Sequence, residues 1–360
     1  MISFFWREGQ GAAAPCPPPR PPSQPAEGPG KAGLWPDFPA KNVKGLGEGV
    51  RGRGKGASAP LPPPPPTHIA MRYEGPIYRP PSEAASLLIQ ATVGCPHNRC
   101  TFCLVYKNTR FTVRPVQEIK EDLEEAARLY RGGVRTLFFP AGNTIAMPTK
   151  GLAEICRHAR ALFPGLERIT VYGSSQFIVK KGLKDLSLLA EAGLTRIHVG
   201  WESGDDAILA AIKKGATRQV HAEGSRLVRE AGLELNAYVI LGIGGRERTE
   251  SHARKTAALV NEAVPKVLRL RTFVPKINTP LLAEVQTGRF RILGPHQVLA
   301  ETMTLIEGIT APVRVESDHY TNYVNVSGDL PEDREKMLAV LTRALTRPES
   351  DFRPFFIGTE

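Results

Sequence analysis

From about residue 84 onward, short β-prone runs alternate with amphipathic helical segments, and this alternation limits the fold more than any other property of the chain. Strand candidates fall at Ser86–Thr92, Arg135–Phe139, Arg168–Tyr172, Thr195–Gly200, Leu233–Leu241 and Lys266–Thr272. The clearest helix is Pro115–Arg131, with Val116, Ile119, Leu123, Ala126 and Ala127 on one stripe and Gly132-Gly133 to end it. Six strand-then-helix units in succession require a parallel sheet with crossover helices. Open doubly wound sheets and barrels both satisfy that rhythm.

Parallel strands covered by helices on both sides read as unbroken apolar runs. These strands alternate instead. Gln90 and Thr92, Thr170 and Tyr172, Arg196 and His198, Asn236 and Tyr238, and Arg269 and Arg271 share one face of their strands. Leu87, Ile89, Ile169, Val171, Ile197, Val199, Leu235, Val239, Leu268 and Leu270 take the other. The apolar face is expected against the helices, and the polar face is expected to line a cavity suited to a polar ligand with a carboxylate or phosphate.

Composition separates a tail from this body. Residues 1–70 hold 16 of the 32 prolines and 11 of the 34 glycines, with the run Arg51-Gly-Arg-Gly-Lys-Gly56 and Pro62–Pro66. Such a segment cannot bury enough apolar surface to offset its ordering entropy, and is read as disordered. Of the formal charge of +11, the tail carries +4 and residues 71–360 carry +7. No run is apolar for long enough to span a bilayer, and the opening Met1–Trp6 is too short for a secretory signal, so a cytoplasmic location without membrane contact is expected.

Five cysteines is an odd count, and three of them crowd into Cys95-Pro-His-Asn-Arg-Cys100-Thr-Phe-Cys103, just past the first strand. A secreted disulfide scaffold fits this poorly. Three thiols on one loop can converge on a metal centre. His97 could complete a zinc-binding Cys3His site, and a zinc-stabilised binding protein with an RNA-interacting basic tail is the alternative function. A [4Fe–4S] cluster on three cysteines leaves one iron open.

The loop resembles that of the radical S-adenosylmethionine (SAM) superfamily, whose members carry Cys-x3-Cys-x2-Cys after the first strand; here the first spacing is one residue longer. The resemblance extends over about residues 84–310. It implies a partial parallel (β/α)6 TIM-like barrel, divided here into a tail (1–70), a core domain (71–310) and a short C-terminal extension (311–360). It further implies that Cys95, Cys100 and Cys103 ligate a [4Fe–4S] cluster, with SAM on the remaining iron, reductively cleaved to a 5′-deoxyadenosyl radical that attacks substrate. Phe102 would lie near the adenine. Gly142 and Asn143 stand where the family receives the SAM amino group, and Ser174 and Ser175 where its carboxylate is met. Glu202 and Ser203, in Gly200-Trp-Glu-Ser-Gly204, match the stretch near ribose and methionine. Gly242, in Ile240-Leu-Gly-Ile-Gly-Gly245, matches the turn beside the adenine.

An electron donor such as flavodoxin or ferredoxin and a small polar substrate are the implied partners. No cobalamin domain, RNA-binding appendage or second cysteine cluster is recognisable, so nucleic acid, methylthiotransferase chemistry and cobalamin-dependent methylation are not expected. Cys156, at apolar helical spacing, reads as core. His158, His221, His252 and His296 read as structural, and His198 as a candidate for substrate or SAM. Tyr106-Lys107 could seat SAM or meet the reductant, and Ser317–Tyr323 could close the open side of the barrel.

Overall fold

The computed structural model describes residues 71–130 and 133–359, and the expected tail over residues 1–70 lies outside them. Strands β1 (Leu87–Leu88), β4 (Thr136–Phe139), β5 (Arg168–Gly173), β6 (Arg196–Glu202), β7 (Glu234–Leu241) and β8 (Val267–Thr272) pair in chain order, all parallel. A separate short hairpin pairs β2 (Thr92–Val93) with β3 (Thr112–Val113). Helices α1 (Val116–Tyr130), α2 (Thr149–Leu162), α3 (Ser175–Glu191), α5 (Arg218–Glu230) and α6 (Thr249–Ala263) are the crossovers, and α4 (Asp206–Ala211) is a short turn after β6. The fold is therefore α/β with a mostly parallel sheet, a partial TIM-like barrel.

The C-terminal extension joins the same sheet. After α7 (Pro280–Gln286) and α8 (Pro295–Gly308), β9 (Val313–Glu316) pairs parallel with β8, and β10 (Gly328–Leu330) antiparallel with β9. Residues 331–333 lead into the last helix, α9, which spans Arg334–Leu345. Asp329 and Asp333 bond each other's backbone and hold those residues as a turn.

One apolar layer holds the helices to the sheet. Ile169, Val171, Ile197, Val199, Val239, Leu268 and Leu270, fully buried, pack with Ile119, Leu123, Ile155, Leu189, Val260 and Ile306 from the crossovers. Cys156 belongs to this layer, and burial pushes its thiol up to about 12.

The polar strand face points inward, but its cations are answered locally. A 3-10 turn at Pro81–Glu83 inserts Glu83, which is 0% exposed. Its carboxylate accepts from Ser86 Oγ (2.6 Å), Arg168 Nη2 (3.2 Å) and His198 Nε2 (3.1 Å), and Tyr238 Oη donates to His198 Nδ1 (3.2 Å). Burial opposes the charge, but the bonds from His198 and Ser86 outweigh it and hold the Glu83 carboxyl at about 2. Arg196 pairs with Glu234, and Arg269 with Glu316 and Asp318. Two of the three arginines on the polar strand face are thus neutralised by carboxylates from neighbouring elements.

Candidate active site

The β2–β3 pairing clamps both ends of the cysteine loop and presents it beyond the C-terminal end of β1, the face where parallel barrels assemble their sites. Gly94 (φ +76°) makes the turn. A Cβ there would stand 3.0 Å from the Arg110 carbonyl oxygen, so another residue would push the clamp apart. Backbone bonds fix the loop to its surroundings: Thr101 N–H to Ile212 O, Leu281 N–H to Thr101 O, and Gly142 N–H to Gly94 O.

A cavity of about 310 Å³ opens beneath the loop, and Cys95, Cys100, Cys103, Phe102, Gly142, Asn143, Ser174 and Glu202 all line it, with Tyr172, Tyr238, Lys214 and Arg271. All three thiols are free and half-buried. Burial pushes Cys100 up to about 11 and raises Cys103. Among the described residues no three His, Cys, Asp or Glu side chains converge on a single-ion site. Three thiols lining one cavity suit a polynuclear cluster, in which three irons take one thiolate each and a fourth stays open. His97, the fourth ligand in the zinc reading, has its Nε2 2.7 Å from the Lys213 carbonyl oxygen and its ring against Gly215.

The backbone is strained at the two points flanking this cavity. Ala141, between Pro140 and Gly142, has φ +98°. Glu202 has φ +66°, at a register shift in β6. The Glu202 turn aims its carboxylate at Lys214, whose Nζ donates at 2.8 Å with both side chains 11% exposed. Desolvation opposes the Lys214 charge, but Glu202 and the thiols outweigh it, so the ammonium titrates above its ordinary range. Gly142 is tightly packed: a Cβ there would lie 2.8 Å from the Cβ of Cys95 and 2.9 Å from the Tyr106 ring.

Two acceptors on the cavity wall have no partner, although they are buried: Asn143 Oδ1 and Gln176 Oε1. Asn143 Nδ2 donates to Ser174 Oγ (2.8 Å), which leaves the Ser174 hydroxyl hydrogen available to the cavity. The wall therefore offers acceptors from Asn143 and Gln176 close to donors from Ser174 and Lys214. That arrangement complements an ammonium and a carboxylate on one small molecule, and the residues present fit an amino-acid moiety beside a thiolate-bound cluster.

Three residues expected at the cofactor do not reach the cavity. Ser175 Oγ and Ser203 Oγ are engaged with buried histidines, His221 Nδ1 (2.7 Å) and His252 Nδ1 (2.8 Å). Gly242 turns at φ +79° and gives its N–H to Glu301 Oε1 (2.7 Å). His198 is enclosed by Glu83 and Tyr238 and lies off the cavity. Lys214 and Gln176 were not anticipated. Lys214 sits in an irregular turn where no period marks it, and Gln176 looks like any exposed helix residue.

Comparison with known proteins places residues 89–260 in a match to the radical SAM superfamily. The tRNA-2-methylthio-N(6)-dimethylallyladenosine synthase of Marinomonas sp. (strain MWYL1) is 29% identical over 193 residues, 51% of this chain and 41% of that one. The GTP 3′,8-cyclase 1 of Pseudomonas aeruginosa is 28% identical over 174 residues, 47% and 48% of the two chains. The chain thus spans less than half the length of these relatives. The structure of the radical SAM methyltransferase TsrM from Kitasatospora setae aligns at TM-score 0.47 and 22% identity, covering 56% of this chain and 39% of that one.

Proposed function

We propose, for a chain that belongs to the radical SAM superfamily through residues 89–260, that the cavity beneath the cysteine loop is its active site and takes a small polar substrate. The protein is an enzyme that uses a [4Fe–4S] cluster and SAM. When bound, those groups would supply a reducing electron and a scissile carbon–sulfur bond for hydrogen abstraction from substrate.

The observation that supports this reading most is that three free thiols and the unpartnered acceptors of Asn143 and Gln176 line one cavity at the strand ends. Cys95, Cys100 and Cys103 would hold the cluster. Asn143 Oδ1 would accept from the SAM amino group, and Ser174 and Lys214 would donate to its carboxylate. Phe102, 8% exposed between Cys100 and Cys103, would offer its ring to the adenine. Glu202 keeps Lys214 charged and aimed. Ser175, Ser203 and Gly242 would act one layer back, by holding the turns that carry these groups. An electron donor such as flavodoxin or ferredoxin completes the reaction.

Protein purified anaerobically and reconstituted should be brown, contain about four irons and form 5′-deoxyadenosine with SAM and dithionite. Each Cys→Ala variant at 95, 100 or 103 should lose that product. A colourless protein with one zinc would support the binding-protein alternative instead. An RNA-borne substrate is the second reading. One relative is named for a tRNA modification, and Tyr320 (67% exposed) and Phe355 (58%) are open aromatics of the C-terminal extension. Stimulation of 5′-deoxyadenosine formation by total tRNA, but not by small metabolites, would favour it.

A further inference from the structure

The charges around the cavity do not balance, and the excess is cationic. A doubly positive cluster core with three thiolates carries one net negative charge, and SAM with its sulfonium carries one net positive charge, so the pair cancels. Lys214 and Glu202 cancel each other at 2.8 Å. Lys107 spends its ammonium on the Asn98 carbonyl oxygen (2.8 Å). Arg271 remains: it lines the cavity, half-buried, and no hydrogen bond or ion pair engages its guanidinium among the described residues. Its counterparts on the same face, Arg196 and Arg269, are each matched by carboxylates.

The backbone carrying Arg271 is held on both sides by a single side chain. Asn322 Oδ1 accepts from the Thr272 N–H (2.7 Å), and Asn322 Nδ2 donates to the Leu270 carbonyl oxygen (2.9 Å). Further bonds to Ser317 fix Asn322 itself. A cavity guanidinium with a braced backbone and no carboxylate is set to receive an anion from outside the protein.

We propose that Arg271 anchors an anionic group of the substrate, a carboxylate or a phosphate, and that Asn322 positions it. The proposal rests on the reading of the cavity as the SAM site, and makes the substrate an anion. The same chemistry could come from the carboxylate of SAM itself, and the test separates the two sources. SAM alone is first titrated into the anaerobic [4Fe–4S] protein; failure to bind would count against the active-site reading. Inorganic phosphate and acetate are then titrated, calorimetrically, into protein with and without saturating SAM. Binding of at least one of them to the SAM-loaded protein is expected, weakened about tenfold in Arg271→Met, less in Arg271→Lys, which keeps the charge without the fork, and about threefold in Asn322→Ala. The proposal is overturned if neither anion binds the SAM-loaded wild type, if SAM displaces both, or if Arg271→Met binds them as tightly.

Discussion

At the scale of single residues, the Lys214–Glu202 pair shows what a motif reveals and what it hides. Glu202 could be picked out because Gly200-Trp-Glu-Ser-Gly204 resembles a stretch of the radical SAM superfamily. Lys214 arrives twelve positions later, after α4, next to Lys213 with φ +52°, and nothing in the residue pattern separates it from a solvated lysine. The pair is enclosed, so removing one partner strands a buried charge. Lys214→Met should cost about 3 kcal/mol in urea unfolding. The double variant Lys214→Met/Glu202→Gln should recover most of that stability while SAM affinity, read by ultrafiltration, stays reduced. Recovery of both would make the lysine a packing element with no part in binding. Arg196 and Arg269 of the inner face are answered by groups that the strand pattern hides, for a related reason. Their partners, Glu234, Glu316 and Asp318, come from other strands and loops, and strand alternation says nothing about who answers a charge.

At the scale of elements, five of the six strands were legible to within two residues because β-branched runs bounded by glycine and polar turns leave few options. The first, expected over Ser86–Thr92, is only Leu87–Leu88, and Thr92 belongs to the separate β2–β3 hairpin. What joins the elements was not legible. The Oγ of the serine just past β5 meets a histidine on α5, and the Oγ of the serine just past β6 meets a histidine on α6: Ser175 with His221, Ser203 with His252. Each histidine engages its serine away from the cavity. The second pair continues, since His252 Nε2 lies 3.6 Å from Glu301, which also accepts from Gly242 N–H and from Thr249. Glu301 on α8 therefore ties the turn after β6 to the turn after β7. Glu301→Ala leaves the Gly242 N–H without an acceptor and should cost about 2 kcal/mol. SAM affinity should weaken with it, because Ile243, beside Gly242, packs with Phe102 of the cavity wall. Glu301→Gln keeps an acceptor and should lose less of both. Equal losses in the two variants would show that the carboxylate charge, rather than the bond to Gly242, matters.

At the scale of the whole molecule, several histidines are folded in their neutral form, and acid should expose this. Burial, aided by the Lys214 charge, pushes His221 down to about 3, and burial lowers His198. Below the ordinary histidine range near 6.5 the unfolded chain takes up protons that the folded chain refuses. Stability present above that pH is therefore lost as the pH falls, by about 1.4 kcal/mol per unit for each such group. Glu83, held at about 2, loses its contribution only below the ordinary carboxylate range and leaves this window untouched. Urea midpoints should drop between pH 7.5 and pH 5.5, with a shallower drop in His221→Asn; an unchanged slope would place the proton uptake elsewhere. Finally, the bracket that Asn322 forms around Arg271 has a consequence for how the chain divides its labour. The three cysteines, Asn143, Ser174, Glu202 and Lys214 all fall within residues 89–260, the stretch shared with the superfamily. Arg271 and Asn322 fall after it. On the proposed reading, bond-breaking machinery and molecular taste are written in successive stretches of one polypeptide, so the second could diverge while the first stays fixed. Kinship measured over the first stretch would carry no information about which molecule is transformed.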